Sequence, residues 1–251
     1  MLFPFKNKCY FFIVFFIFFL NTSVLLGQNI CPPKEKLTQS LQKVLNRDVE
    51  IISLKASAYK GLCEIYTRTG NKSNIVYTDN ANMVFVFGHL VESATGKSLT
   101  KKALEEYTRL STGDIKYLKS LVAFSIGKAD LELFVVTDPQ CPYCKEGEKI
   151  LKKMADNNEL TTHFILFPLD FHKGSREQCI SVICDKKGFK GFESGYKSDN
   201  QCEEGKNKVN ASISFIKKKG MTGTPAYIFE DGIIHKGLMR EPDLRKRLKL
   251  F

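Results

Sequence analysis

The spacing of apolar residues changes several times along the chain and divides it into helical and extended segments. Residues 33–45 place leucines at helical spacing after a proline, which predicts a short amphipathic helix. Residues 61–93 contain short β-rich runs separated by TGNK and DNAN, which predict an antiparallel meander. Helical spacing returns over residues 98–114. We predict a linker helix there, and an ordinary surface helix of the same domain is the alternative.

The C-terminal half has a different pattern. The apolar run LELFVVT, a helical stretch through Met154 and the run HFILFP follow one another as strand, helix and strand. Such a βαβ unit implies two parallel strands. A polar, helix-forming stretch extends from Ser175 to about Lys219, and two strands about an Asp231-Gly232 turn precede a closing helix. The pattern therefore predicts an α/β domain in this half of the chain.

The first residues have the organisation of a secretory signal. Lys6 and Lys8 precede an unbroken apolar run from Cys9 to Leu20, and a short polar segment follows it. We expect cleavage after Gly27, although the preceding residues match the small-x-small rule only in part. If the apolar run continued to Gly27 it would span about 19 residues, so an uncleaved inner-membrane anchor is the alternative. We expect the mature protein to be exported.

The amino-acid composition and net charge of the chain exclude several classes of protein. With 43% apolar and 26% charged residues among 251, the chain is neither disordered nor fibrous. Without Lys6 and Lys8, 36 basic residues remain against 27 acidic ones, a net charge near +9. Basic runs could contact anionic lipid, but export argues against nucleic acid as a partner, and no aromatic platform interleaves with them. We expect a solvated basic surface.

Seven cysteines follow the secretory segment. In an oxidising compartment cysteines tend to pair, and an odd number leaves at least one unpaired or bonded to another chain. A zinc site would need a second Cys-x-x-Cys or a histidine cluster, whereas the four histidines are scattered. We therefore expect no metal site and no cofactor. The seven are Cys31, Cys63, Cys141, Cys144, Cys179, Cys184 and Cys202.

Cys141 and Cys144 stand at the junction between LELFVVT and the following helix. A Cys-x-x-Cys beside a βαβ pattern indicates a thioredoxin-like redox pair. The free N–H groups and the positive dipole end of a helix N-terminus stabilise a thiolate on the first cysteine. Cys141 is the expected nucleophile, and Cys144 can close onto it and release a bound substrate. Pro142 suits the first helical turn, because its missing N–H costs nothing there.

The motif CPYC together with GTPAYIFEDG near the C-terminus resembles a thioredoxin fold, in which a cis-proline loop faces the active cysteines. The resemblance implies that Pro225 is cis and that Thr224 offers backbone hydrogen bonds to a substrate chain. Pro142 and Tyr143 are assigned to substrate binding beside them. Thioredoxins also place a buried acid six residues before the nucleophile, where this chain has Val135. Water or another group must then accept the proton of the second cysteine.

The whole mature chain, from about Pro33 to Leu248, resembles the bacterial periplasmic DsbC/DsbG family of disulfide isomerases. The segment GLCEIYTRTGNKSNIVYTDNANMVFVFGHLVESATG is similar to the dimerisation segment of that family. CPYC is the DsbG-like form, whereas DsbC typically carries CGYC. The resemblance to DsbC implies a structural disulfide between Cys184 and Cys202, so the subgroup stays open. No counterpart is assigned to Cys31, Cys63 or Cys179.

The resemblance and the pattern together predict an α+β unit joined to an α/β unit. We expect a signal peptide over residues 1–27 and a small antiparallel dimerisation sheet over residues 28–95. A linker helix over residues 96–125 leads to a thioredoxin-like catalytic domain over residues 126–251, with a helical insertion at about 170–219. The N-terminal sheet has too little apolar surface to be stable alone, and its exposed strand edge favours pairing with a second copy.

The function that the resemblance implies is isomerisation of wrong disulfides in misfolded secreted proteins of the periplasm. It further implies a V-shaped homodimer, a chaperone activity in the cleft of the dimer, and a DsbD-type membrane reductase that keeps the cysteines reduced. Two alternatives stay open. One is a DsbG-like reductase of sulfenylated cysteines, since the same thiolate can perform that chemistry. The other is a holdase or assembly factor without catalysis.

Overall fold

A computed structural model describes residues 31–70 and 72–250. The signal peptide predicted over residues 1–27, with its expected cleavage after Gly27 and its alternative as an uncleaved anchor, lies outside the described residues. The described chain forms a four-stranded sheet with two helices, followed by a five-stranded sheet with six helices around it. Among the helices of this described part, none is both long and apolar enough to cross a membrane.

The N-terminal unit begins with one helix and continues as an antiparallel meander in sequence order. Its elements are α1 Lys34–Leu45, β1 Glu50–Ala56, β2 Leu62–Thr69, β3 Lys72–Asp79 and β4 Phe85–Val86. The predicted helix and meander are therefore present. Strand β1 was not predicted, because Glu50 and Lys55 interrupt its apolar pattern and a bulge lies between Ile51 and Ser53.

Both faces of the N-terminal sheet are covered. Successive side chains of a strand point to opposite faces, so adjacent residues of β2 enter different cores. Ile65 packs with Leu37 of α1 on one face. Tyr66 packs with Ala103 of α2, which spans Leu99–Thr108, on the other. A disulfide between Cys31 and Cys63 also ties the start of the described chain to β2.

The single linker helix predicted over residues 96–125 is wrong. The segment contains α2, a second helix α3 over Thr112–Ser120 and the beginning of a strand. The break has a local cause, because Ser111 and Asp114 form a capping box that starts α3 anew. Helix α2 packs on the N-terminal sheet, whereas Leu118 of α3 is buried in the C-terminal core. Each helix therefore belongs to a domain, and only a short turn connects the two.

The C-terminal sheet has the strand order β5-β7-β6-β8-β9. Its central pair, β6 and β7, is parallel with helix α4 as the crossover, as the βαβ pattern predicted. The other neighbouring strands are antiparallel, and β8 and β9 form the predicted hairpin. These elements are β5 Phe124–Ile126, β6 Glu132–Thr137, α4 Pro142–Asp156, β7 Thr161–Leu166, β8 Ala226–Phe229 and β9 Ile234–Lys236.

Three helices fill the chain between β7 and β8, and a fourth closes the domain. They are α5 Ser175–Cys184, α6 Gly188–Glu193, α7 Glu203–Lys218 and α8 Glu241–Leu248. A disulfide joins Cys184 at the end of α5 to Cys202 before α7, with an S–S distance of 2.07 Å. This is the pairing that the resemblance implied. One face of the sheet packs on α3 and α7, and the other on α4 and α8.

Candidate active site

The turn from β6 into α4 places the two cysteines of the CPYC motif. Cys141 is the N-cap residue of α4, and Pro142 is the first residue of the helix. The backbone N–H of Cys144 donates to the Cys141 sulfur at 3.4 Å. Both thiols are free, and their residues are only 4% and 1% exposed. The geometry is that of a thiol held at the positive end of a helix, where a thiolate is stabilised.

A buried aspartate holds this turn in shape. The carboxylate of Asp138 accepts hydrogen bonds from the backbone N–H groups of Gln140 at 2.7 Å and Leu169 at 2.6 Å. Its Oδ1 also lies 3.0 Å from Nδ1 of His172. The side chain of Gln140 donates to the carbonyl of Lys173 at 2.8 Å. These hydrogen bonds therefore hold the loop after β7 against the turn between β6 and α4.

A second loop approaches the cysteines from the other side. The peptide bond between Thr224 and Pro225 is cis, as the resemblance implied. The Cys141 thiol donates to the carbonyl of Thr224 at 3.6 Å. Pro142 is exposed, and Tyr143 retains 63% of its accessible surface. The structure thus brings together every residue assigned to catalysis and substrate binding, whereas Cys184 and Cys202 belong to the helical insertion.

Cys144 is the inner thiol of the pair. Its burial raises the pKa of the thiol to about 12, and this effect outweighs the hydroxyl groups of Thr137 and Thr224, which lower it. Burial has this direction because it penalises the charged thiolate. Cys144 is therefore a protonated thiol at neutral pH. It can attack a disulfide only after another group has taken its proton.

A buried carboxyl group that was not predicted from the sequence lies one helical turn from this thiol. Glu148 lies one helical turn after Cys144 and is only 5% exposed. The hydroxyl of Thr137 donates to Oε1 of Glu148 at 2.6 Å. Burial raises the pKa of Glu148 to about 7, against the smaller lowering effect of the Thr137 hydrogen bond. An acidic residue within the apolar stripe of α4, spaced four residues from Cys144, was the pattern that could have identified it.

Strand β8 packs closely against the same helix. A Cβ atom at Gly147 would collide with the hydroxyl group of Tyr227. Only glycine therefore allows the tyrosine ring to lie against this turn of α4. Burial raises the pKa of Tyr227 to about 12, so it stays a neutral phenol at the edge of the cysteine site.

The remaining free thiol has no exposed surface. Cys179 is 0% exposed on α5, and burial raises its pKa well above the ordinary value. Buried cysteines of this kind behave as small apolar residues. Within residues 31–70 and 72–250, no three His, Cys, Asp or Glu side chains are grouped so that they could hold a metal ion.

Comparisons with known proteins agree with this architecture. Residues 125–251 match the family model of the thioredoxin-like domain. Residues 28–101 match that of the N-terminal domain of disulfide bond isomerase proteins. The probable thiol:disulfide interchange protein DsbC of Bordetella avium (strain 197N) is 25% identical over 227 residues, which cover 86% of this chain and 76% of the relative.

Solved structures give weaker likenesses. The catalytic domain of Proteus mirabilis ScsC is 20% identical, with 55% of this chain and 96% of that chain covered and a TM-score of 0.46. The disulfide interchange protein from Neisseria gonorrhoeae is 22% identical, with 50% and 92% covered and a TM-score of 0.44. The thioredoxin-like match alone spans just over half of the 251 residues. The chain belongs to the DsbC-type family of thioredoxin-fold thiol:disulfide interchange proteins.

Proposed function

We propose that this protein is an exported isomerase that rearranges wrong disulfides in secreted proteins. One observation carries the proposal: the free Cys141 thiol caps helix α4 and faces the loop of Thr224 and Pro225, on a chain whose N-terminal domain is of the disulfide isomerase type. The periplasm is the proposed location, since the disulfides of secreted chains form and persist in an oxidising compartment.

The chemistry begins at Cys141. Its thiolate attacks one sulfur of a substrate disulfide, so a mixed disulfide forms and the other substrate sulfur leaves as a thiolate. That thiolate attacks a different disulfide of the same chain, and a substrate thiolate finally displaces Cys141. No electrons are gained or lost in this cycle. When rearrangement stalls, Cys144 attacks the Cys141 sulfur and releases a reduced substrate.

The stalled route leaves Cys141 and Cys144 joined as a disulfide, which cannot start another cycle. Two electrons must then come from a dithiol reductant. We assign this step to a membrane reductase of the DsbD type, because the periplasm itself is oxidising.

The surface around the cysteines supports binding of an unfolded chain. Tyr143 is 63% exposed, and Phe171 is 75% exposed beside His172. His172 also lies against Asp138, in the turn between β6 and α4. An apolar rim with backbone carbonyl groups suits an extended peptide, because the rim is indifferent to side-chain sequence. The substrate class is therefore misfolded chains with exposed apolar segments.

A homodimer through the N-terminal sheet completes the proposal. Strand β4 is an edge of this sheet, and edges offer unpaired backbone groups. A group of large apolar side chains stands exposed on β4 and the chain around it. Its members are Met83, Val84, Val86, Phe87 and Val91, with Met83 as much as 79% exposed. Such a patch marks a protein interface. Two catalytic domains joined there would enclose a cleft with chaperone activity.

A second function is favoured by the Pro-Tyr dipeptide between the two cysteines, since CPYC is the DsbG-like form of the motif. In that reaction the Cys141 thiolate attacks the sulfur of a sulfenic acid, the hydroxyl group leaves as water after protonation, and a mixed disulfide forms. Cys144 then resolves the mixed disulfide as before.

The experiment that tests the proposal uses the reduced mature protein, residues 28–251, with a scrambled, disulfide-rich substrate. Recovery of native substrate with wild type, and none with Cys141→Ser, supports an isomerase. Turnover of a sulfenylated protein without rescue of the scrambled substrate supports the reductase. Suppression of aggregation alone, equal in wild type and Cys141→Ser, overturns both in favour of a holdase.

A further inference from the structure

We propose that Glu148 receives the proton of Cys144, through the hydroxyl group of Thr137, when Cys144 resolves a mixed disulfide on Cys141. The inference deepens the proposed function and rests on its thiol chemistry, although not on isomerisation itself. It assigns a task to the buried carboxyl group that the reaction cycle has so far left unused.

All three groups are buried. Thr137 is 0% exposed, Cys144 is 1% exposed and Glu148 is 5% exposed. The Thr137 hydroxyl donates to Oε1 of Glu148 at 2.6 Å, and it also interacts with the Cys144 thiol, whose pKa it lowers. Bulk water has little access to a thiol buried to this degree. A proton that leaves Cys144 must therefore pass to a protein group first.

The position of this carboxyl also explains how the chain functions without an acid on strand β6. The resemblance to thioredoxins placed an acid at position 135, but Val135 is 2% exposed among apolar side chains facing α4. Thr137 lies two residues further along the strand, on the same face. Its hydroxyl reaches toward α4, where Glu148 supplies the carboxyl group from the helix. The proton acceptor has thus moved from the strand to the helix, with the strand supplying the link.

The proposed step balances in atoms and charge. The proton on Cys144 Sγ passes to Thr137 Oγ1, while the Thr137 hydroxyl proton passes to Oε1 of Glu148. The resulting Cys144 thiolate attacks the sulfur of Cys141. A disulfide forms between the two cysteines, and the substrate sulfur leaves with the electron pair of the broken bond. When a reductant reopens the disulfide, the proton returns along the same line.

The charges around Glu148 allow it to exchange a proton near neutral pH. Burial favours its neutral form and, with the nearby carboxyl groups of Glu193 on α6 and Asp138 after β6, raises its pKa; Lys145 on its own helix and the Thr137 hydrogen bond lower it. Tyr227 on β8 faces it as a neutral phenol. The balance is a pKa of about 7. A general base works best when its pKa lies near the working pH.

The test follows the resolving step separately from the first attack. Reduced mature protein is mixed with glutathione disulfide at a series of pH values between about pH 5 and about pH 9. Samples are quenched in acid over time and analysed by mass spectrometry. The glutathionylated form of Cys141 reports the first step, and its loss to the internal disulfide reports the second. In wild type the second rate should rise with an inflection near pH 7. Glu148→Gln should slow it tenfold or more and remove the inflection, in the range of general acid-base effects.

Matched variants separate proton transfer from packing. Glu148→Gln can still accept the Thr137 hydrogen bond, so the first attack should stay within twofold of wild type. Thr137→Val, which keeps the shape of the side chain but removes the link, should slow the second step in the same way. Thr137→Ser should restore it. Glu146→Gln, an exposed acid on the same helix, should leave both rates and the pH profile unchanged.

Two results would overturn the inference. One is a Glu148→Gln variant with the wild-type rate and pH profile of the second step. The other is Thr137→Ser resolving as slowly as Thr137→Val. The proposed function fails in a different way: wild type would show both steps with glutathione and yet recover no native protein from the scrambled substrate. That result would reject isomerisation while leaving the proton path in place.

Discussion

Two helices of the C-terminal domain begin with the same local geometry and have different chemistry. Cys141 caps α4, and its sulfur accepts the N–H of Cys144 at 3.4 Å. Cys202 caps α7, and its sulfur accepts the N–H of Gly205, also at 3.4 Å. Yet Cys141 is a free thiol, while Cys202 is bonded to Cys184. A cysteine at a helix N-terminus is therefore not by itself a redox site.

The difference lies in what occupies the first helical turn. Helix α7 has Glu203 and Glu204 there, which complement the positive end of the helix, whereas the first turn of α4 contains no acid. The positive end of the α4 dipole therefore has no acidic side chain to balance it and can stabilise a thiolate. The third helical position also differs. In α4 it is a cysteine that can close onto the cap, while in α7 it is Gly205, where a Cβ atom would lie 2.7 Å from the Cys184 sulfur.

The two pairs also close loops of different length. Cys184 and Cys202 are 18 residues apart, so their bond removes much chain entropy from the unfolded state. Cys141 and Cys144 are three positions apart, and a bond between them constrains little beyond the helix end. The long loop favours a permanent structural disulfide. The short loop lets a pair open and close at small cost to the fold.

The largest effect is expected from the cap of α4. Cys141→Ser should abolish thiol exchange, because no other free thiol of the described residues is the N-cap of a helix. Cys144→Ser should keep the first attack and accumulate mixed disulfides with substrate, which mass spectrometry would detect. Alkylation at mildly acidic pH should label Cys141 first. If it labelled Cys144 before Cys141, the two roles would be reversed.

A second variant tests whether chemistry at α4 is separable from isomerisation. Met83→Glu with Phe87→Glu places charges in the exposed patch beside β4, where neither side chain is part of the buried core. We expect a folded monomer that still exchanges thiols with glutathione but has lost isomerase and holdase activity. Sedimentation at tens of micromolar would measure the change. A wild-type monomer at that concentration would reject the dimer.

The disulfide between Cys184 and Cys202 should stabilise the fold without affecting the chemistry at Cys141. Replacing both Cys184 and Cys202 with serine should lower the free energy of unfolding by roughly 3 kcal/mol, the chain-entropy effect of a loop near this length. Denaturant titration would measure it, with glutathione exchange at Cys141 as the control. Peptide mapping that found Cys179 bonded to Cys202 would contradict the assignment, as would an unchanged stability.

Glu148, the buried acid of α4, should lower the free energy of unfolding by an amount that depends on pH. The pKa of Glu148 is raised by burial to about 7, so folding favours its protonated form. Stability from this group is complete below the unfolded pKa of about 4.3 and is lost as the pH rises toward 7. Glu148→Gln removes that dependence. Its stability relative to wild type should therefore increase by on the order of 3 kcal/mol between about pH 4 and about pH 8.

Denaturation of reduced protein at the two pH values would measure this last effect, and Glu146→Gln is the matched control on the same helix. A difference between Glu148→Gln and wild type that stays constant with pH would show that the pKa of this carboxyl group is the same in the folded and unfolded states. A stable but slow variant would mean that the acid is retained for its chemistry and not for the fold.

Much of the redox site followed from local sequence. The run LELFVVT, the two cysteines and the helix after them are adjacent in the chain, so their periodicity and helix position predicted strand, cap and nucleophile together. The resemblance added the cis bond at Pro225 and the bond between Cys184 and Cys202. The helix break at Ser111 was missed, although its capping box is a local pattern. Strand β5 was missed because three residues are too few to establish a period.

The sequence by itself determined which two cysteines could do the chemistry, because a Cys-x-x-Cys pair between a strand and a helix is a local arrangement. Only the tertiary structure decided what surrounds them. The bond between Cys31 and Cys63 joins residues 32 positions apart, and no local pattern selects that partner. The same holds for Thr137 and Glu148, which meet because α4 packs back onto β6. Side-chain burial, and with it the protonation of Cys144 and Glu148, exists only after distant elements have packed together.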